Sequence, residues 1–542
     1  MIRRALGLFA GLGLLMSGCQ SPPPSVQFAT DQVLHLVAPR DVLTLDPAKI
    51  HQPTVELSLV RNVFGGLYGF GDDLVERPEI AKGWPVISTD GLTWTFHLRA
   101  DARFSNGESV KAADVVYSWN RVARLNENDY QSASIFERVQ GYEDVQSGKA
   151  QALSGLRAAD EYTVVAMLTA PAGFWLVELG LWAAAVVDQR VVASKGEDTW
   201  WTTPDGLVGT GPFRMTSRVK GSSLDFEPVA NWWRGSPGRL QQVHVEVVRG
   251  QAVAESRYRA GEFDIVGYTP YDDDFRQVTD STIQAYRADK QLQRELHMRP
   301  WLGTSNLRFR SEGRLATDAE MQMRQALSLA LDRDRLAAIC FGGAQCMPAT
   351  GGLITKGLAG YLGDGADKTA KQDTDAAKAL LKAWDPAGAR RTVRMGTFLY
   401  FVPLAREIQA EWQSVLGLTV TLDFGEGSTI GHNASAGLYD VMVGETYSDY
   451  DSPHDWFAFL GRQCSAATTD PQFQAAVASG DAKSPAEAVA DYKRAGQILM
   501  TDAACPALVY QEAVQLVKPW VLGAGGNVLY ENYWTSIGIR EH

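Results

Sequence analysis

A multidomain α/β protein is what this sequence predicts, on three observations. Its 542 residues are too many for one simple core, so two or three domains are expected. The stretch Asp90–Val122 reads as strand, turn and helix in quick succession. Arg391–Thr397, Arg406–Leu416 and Thr419–Phe424 then read as strand, helix and strand, the order of a three-layer α/β lobe.

In chain order, the first element is a leader. Arg3 and Arg4 precede a mostly apolar run from Ala5 to Met16, too short for a spanning helix, which is the pattern of a secretory signal peptide over residues 1–18. It ends in Leu15-Met16-Ser17-Gly18-Cys19, which is similar to a lipobox, so Cys19 is the expected lipidation site. Residues 19–32, with three consecutive prolines, read as the lipidated start and its tether. Acyl chains at about 0.8 kcal/mol per buried methylene would hold the protein on a membrane without a span.

Leu34–Arg40 reads as a strand and Ser58–Gly66 as a helix ended by Gly65-Gly66. Within Asp90–Val122, Trp94, Phe96 and Leu98 alternate with Thr95, His97 and Arg99, the period of a half-buried strand. Asn106-Gly107 supplies the turn. Ser109 is expected to cap a helix whose Val115, Trp119 and Val122 share one apolar stripe. Tyr162–Leu168 alternates as a strand, and Pro171–Val187 reads as buried helix and strand. Val208–Phe213 is a turn shaped by glycines and a proline. Asp318–Cys340 gives two helices broken at Asp332–Asp334, with Met323, Ala326, Leu327, Ala330 and Leu331 as the buried stripe.

The net charge of −12, with no basic stripe interleaved with aromatics, argues against a nucleic-acid partner. No Gly-x-Ser-x-Gly elbow, His-Glu-x-x-His helix or phosphate loop occurs, so nothing recommends a hydrolase, and no cofactor is expected. Besides Cys19 there are four cysteines, with three possible pairings. Cys340 with Cys346, closing a Gly-rich loop, and Cys464 with Cys505 are favoured over a metal site. The spacings fit no common zinc motif, and an exported protein meets oxidising surroundings.

Six stretches occur in one order: Asp90–Val122, Val208–Phe213, Asn231-Trp232-Trp233, Gly261–Ile265, MRQALSLALDRDRLA over Met323–Ala337, and Leu516–Val521. Together they closely resemble the bacterial family 5 extracellular solute-binding proteins, receptors for oligopeptides, dipeptides, nickel and related solutes. The last stretch resembles the oligopeptide receptors in particular. The resemblance implies a two-lobed, periplasmic-binding-protein-like α/β fold, with an extra domain inserted in the N-terminal lobe and hinge strands between lobes. The first lobe would comprise residues 33–64, 191–301 and 511–542, the extra domain 65–190, and the second lobe 302–510. The implied function is that of a monomeric, non-enzymatic receptor that captures oligopeptides by hinge closure. It would be lipid-anchored on the periplasmic or cell-surface side of a membrane and would deliver its peptide to an ABC permease with separate ATPase subunits.

The resemblance also points to ligand-binding residues. In the peptide receptors an Asp before Tyr accepts the ligand's α-ammonium, and Asp449, followed by Tyr450, stands at that position. An ammonium in a closed, dry cleft needs an anionic acceptor to offset its desolvation. Around it lie Glu445, Thr446 and Tyr447. Val443 and Thr446 stand where the receptors typically carry Arg and Trp, Phe401 where His is usual, and Gly427, beside Glu426, where a Trp covers a pocket. His51 stands where an acidic residue is common. Tyr130, Trp301 and Asn306 are expected near the cleft or hinge. Basic groups suited to a ligand carboxylate thus look missing. Two readings stay open: drifted pocket walls on a peptide receptor that relies on backbone bonding, or a ligand that is cationic, C-terminally blocked or not a peptide. A nickel-type site using His432 and His454 belongs to the second reading.

Overall fold

The protein's structure is a computed structural model. It describes residues 26–50, 55–71, 73–125, 131–268, 280–310, 312–340, 345–448, 450–458, 460, 464, 470–525 and 532–542. An eleven-stranded sheet runs through both lobes. From one edge, its second-lobe strands are Thr419–Gly425, Thr392–Phe398 and Val441–Tyr447, and its first-lobe strands are Ile265–Tyr268, Val33–Ala38, Gln242–Val247, Ser223–Pro228 and Phe213–Val219. Between the two sets lie the long strands Leu296–Arg308 and Ala507–Val517, paired antiparallel with each other, while Cys346–Pro348 adds to the outer half of the latter.

These two strands are the hinge. Leu296–Pro300 pairs with Glu512–Leu516, and beyond a register shift between Pro300 and Thr304 the partners become Tyr510, Val509 and Ala507. The second-lobe half of the first strand also pairs with Val441–Tyr447. At the shift stands Gly303, where a Cβ would lie 2.8 Å from Gln511 Oε1 and push that side chain aside.

A separate four-stranded sheet, Val86–Ile87, Thr93–His97, Thr163–Met167 and Leu156–Asp160, is built wholly from residues between 86 and 167. Trp94, Phe96 and Leu98 are buried, and the helix Ala112–Ala123 buries Val115, Trp119 and Val122. Phe96 and Trp119 meet edge to face at 5.7 Å, and Trp94 meets Trp175 at 5.3 Å. Gly107 takes a φ of +90°, and Asn106 Oδ1 accepts from the Glu108 amide. The expected cap at Ser109 is corrected: Ser109 bridges to Arg103, and the helix starts at Ala112. Asp114 accepts from the Lys111 amide at 2.9 Å, so a carboxylate in the first turn does the capping.

Close backbone approach explains the Val208–Phe213 turn. A Cβ at Gly209 would lie 2.1 Å from the Val63 carbonyl oxygen, and Trp232 and Trp233 both donate to the Thr210 carbonyl. The strand–helix–strand of the second lobe is present as Thr392–Phe398, Val402–Leu416 and Thr419–Gly425, with Gly417 ending the helix in the left-handed region. Cys340 is bonded to Cys346 and Cys464 to Cys505. The leader and Cys19 lie outside the described residues.

One buried ion pair ties the first lobe to the helix Ala112–Ala123. Arg121 donates to both carboxylate oxygens of Asp46, at 2.8 Å through Nη1, and both side chains are nearly inaccessible to solvent. Orphaning a buried guanidinium typically costs about 3–5 kcal/mol, but Glu197 Oε2 also lies 2.6 Å from Arg121 Nε and would remain as a partner. Asp46→Asn is therefore expected to lose less stability, about 1–3 kcal/mol, in urea unfolding; a loss below about 1 kcal/mol would show that the pair is not a structural tie.

Candidate functional site

In open α/β sheets, ligands sit beyond the carboxyl ends of the strands. Thr392–Phe398, Thr419–Gly425 and Val441–Tyr447 are parallel, and the carboxyl end of the last reaches the hinge, where Tyr447 pairs with Gly303. The apolar residues Leu399, Tyr400 and Phe424 are exposed at these same ends. The candidate cleft wall of the second lobe is built from this edge.

Alternation along the strands sorts the expected ligand residues. Thr446, Gly444 and Met442 face one side together with Thr304, Asn306 and Arg308 of the neighbouring strand, while Val443, Glu445 and Tyr447 face the other. The expected residues Val443, Phe401, Asn306 and Trp301 are buried. Val443 is wholly buried in the core beside Leu307, and Phe401 is core as well, with the exposed Tyr400 next to it. Asn306 is fully buried and donates to Thr446 Oγ1 at 2.8 Å, with its Nδ2 also 2.8 Å from Cys505 Sγ. It braces the strand on the Cys464–Cys505 disulfide and leaves no surface for a ligand. Trp301 is buried at the hinge.

Other residues do border open space. Glu445 and Tyr447 are half-buried, and Glu426 and Gly427 are exposed, with nothing within 4 Å of where a Gly427 Cβ would stand. Glu445 Oε2 accepts from Gln511 Nε2 at 2.7 Å, so the returning hinge strand holds this carboxylate. Asp449, His51 and Tyr130 lie outside the described residues. The residues flanking Asp449 are anchored: the Ser448 amide donates to the Leu302 carbonyl, Ser448 Oγ to Asp455 Oδ2 at 2.7 Å, and Tyr450 OH to Glu178 Oε1 at 2.8 Å.

The Tyr450–Glu178 bond belongs to a junction that sequence reasoning missed. Phe174 stacks on His454 with ring centroids 3.4 Å apart, the Gly173 amide donates to the Asp481 carbonyl, and His454 Nδ1 lies 2.8 Å from Asp481 Oδ1. Gly173 admits no side chain, since a Cβ would sit 1.6 Å from the Lys483 carbonyl oxygen. His454 is thus a packed junction residue, against its expected alternative as a metal ligand, and no cluster of three metal-ligating groups occurs among the described residues. Burial pushes the Glu178 carboxyl well above the usual range, and the charge of Asp455 adds to this. Burial also raises Asp451, to about 6.

Comparison with known proteins fits this architecture. Residues 76–467 match the model of the bacterial extracellular solute-binding proteins, family 5. The chain belongs to this family. Over 98% of both chains it is 26% identical to the periplasmic oligopeptide-binding protein OppA of Escherichia coli. Among solved structures it is similar to the unliganded open form of the murein tripeptide binding protein MppA, with a TM-score of 0.81 at 24% identity, covering 96% of this chain and 99% of that one. The Haemophilus influenzae OppA complex with the peptide RPPGFSPFR gives 0.68 at 22% identity, covering 95% and 100%. Both establish the two-lobed fold.

The junction carries a pH signature. A carboxyl whose native pKa is raised keeps its proton after the unfolded chain has released it, so native stability falls as pH rises above about 4.3. Glu178→Gln keeps an acceptor for Tyr450 without that penalty. Its thermal stability relative to the parent is expected to grow as pH rises above that value. A difference that stays constant with pH would refute a buried, proton-holding Glu178.

Proposed function

We propose that this family member is the substrate-binding lipoprotein of an ABC transporter, capturing oligopeptides between its lobes and presenting them to a permease for uptake. The observation that carries the reading is the hinge. Two long strands join lobes whose facing edge holds the Tyr447–Tyr450 segment, and Asp449 in that segment accepts the ligand's α-ammonium. Full-length likeness to an oligopeptide-binding protein supports peptides as the ligand class. The higher similarity to an unliganded open form than to a peptide complex supports closure as the capture step.

In this reading residues 33–64, 191–301 and 511–542 form the first lobe, 65–190 the extra domain and 302–510 the second lobe. The receptor works as a monomer and carries out no chemistry, the ATPase subunits of the transporter supplying the energy. Cys19 carries the lipid that holds it on the periplasmic or cell-surface side of the membrane.

Titration calorimetry with peptides tests the site. Asp449→Asn is expected to weaken binding by more than about 100-fold, as follows from the 3–5 kcal/mol, roughly, of an orphaned buried charge. Unchanged affinity in a folded variant would remove the assignment. For the anchor, Cys19→Ser is expected to move the protein from the membrane to the soluble fraction in its source cell. Continued membrane retention of the serine variant would argue against lipidation.

A further inference from the structure

The outer edge of the first lobe carries an arginine that regular strand pairing would not place where it is. Along Phe213–Val219, Met215 pairs with Phe226, but a register shift follows and Arg218 pairs with Leu224. An unshifted strand would set Ser217 opposite Leu224. The extra residue re-aims the strand, so that Arg218 takes the core face that Phe213 and Met215 occupy before it.

At that position the side chain meets a cavity. Its guanidinium lies over the Trp201 ring, 4.8 Å from the centroid, and only 8% of the side chain is exposed. Nε is buried without a hydrogen-bond partner, and no described residue accepts from the rest of the guanidinium. Asp41 Oδ1 lies 3.6 Å from Nη2, too far for a hydrogen bond, while Asp41 Oδ2 accepts from the Gly221 amide at 3.0 Å. The cavity measures about 630 Å³, and Val42, Leu43 and Lys220 also line it. Small-molecule sites run from about 300 to 1,000 Å³.

Each wall limits what can enter. A buried donor without an acceptor is costly, and a planar guanidinium is best satisfied by a carboxylate, which takes two parallel bonds. Lys220 is exposed and makes no ion pair among the described residues, so it adds positive charge. The Asp41 carboxylate beside Arg218 repels a second negative charge and so disfavours phosphate. Leu43 is 73% exposed, an apolar surface that a bare ion would leave in water.

The geometry points to a binding site in this cavity for a monocarboxylate with an apolar body, its carboxylate on Arg218 and its chain along Val42 and Leu43. Four strands separate the edge strand Phe213–Val219 from the hinge strand Ala507–Val517, so this site is distinct from the wall at the hinge. It does not depend on the peptide-receptor reading.

Titration calorimetry with octanoate tests it, set against octanol and inorganic phosphate. Octanoate is expected to bind saturably, octanol to bind weaker by about tenfold or more, and phosphate not to compete. Arg218→Met is expected to weaken octanoate by about tenfold or more, and Arg218→Lys to recover part of that loss. Arg218→Met also removes the stack on Trp201, so Leu43→Asp serves as a second variant. Position 43 is open to solvent, so the fold tolerates the change, while the added charge and lost apolar contact weaken octanoate by about as much. No saturable binding of octanoate, equal binding of octanol, competition by phosphate, or unchanged octanoate affinity in either folded variant would overturn the site.

Discussion

The pairing of Leu296–Arg308 with Ala507–Val517 is the constraint on which the rest of the structure depends. Each strand belongs to both lobes, and the pairing between them is broken only by register shifts from Pro300 to Thr304 and between Ser305 and Asn306. A ladder resists stretching far more than it resists bending or twisting, and a register irregularity is where bending concentrates. The lobes can therefore change their angle while the strands stay paired. Gly303 and Gln511 meet at this place, and Gln511 also grips Glu445. A half-buried carboxylate of Val441–Tyr447 is thus tied directly to the hinge.

The junction around Phe174 and His454 works against free motion. It places a stacked ring pair, a backbone hydrogen bond and the Tyr450–Glu178 contact between residues 173–178 and the second lobe. Because Tyr450 directly follows the proposed ammonium acceptor in sequence, the junction and the ligand act on one short segment. Burial raises the carboxyls of Glu178 and Asp451, which makes the contacts around that segment sensitive to protonation.

The scaffold is largely legible in the sequence because its signals are local. Alternation in Trp94–Leu98, the apolar stripe on Ala112–Ala123 and the Gly417 stop each act within one element, and each appears where expected. The candidate site is less legible because its decisive relations run between elements. Val443 and Phe401 look like wall positions along their own strand and helix, yet three-dimensional packing turns both into core. Asn306 looks like a ligand-facing amide until the disulfide beneath it is seen. The Ser109 cap fails for a local reason: a competing carboxylate at Asp114 takes the amide one turn later.

The apparent loss of basic groups shows the same limit from the other side. Read along Val441–Tyr447, the wall looks stripped of positive charge and even acidified by Glu445. Read across the sheet, Arg308 enters from the neighbouring strand into the space that Gly444 leaves. Charge complementarity is a property of a surface, and a strand contributes to it only every second residue. Arg308 lies on the face of Gly444, opposite to that of Val443, so it does not restore a cation to the position that Val443 occupies. Both readings of the ligand therefore stay open, and Gly444 matters because it leaves the space that the Arg308 side chain fills.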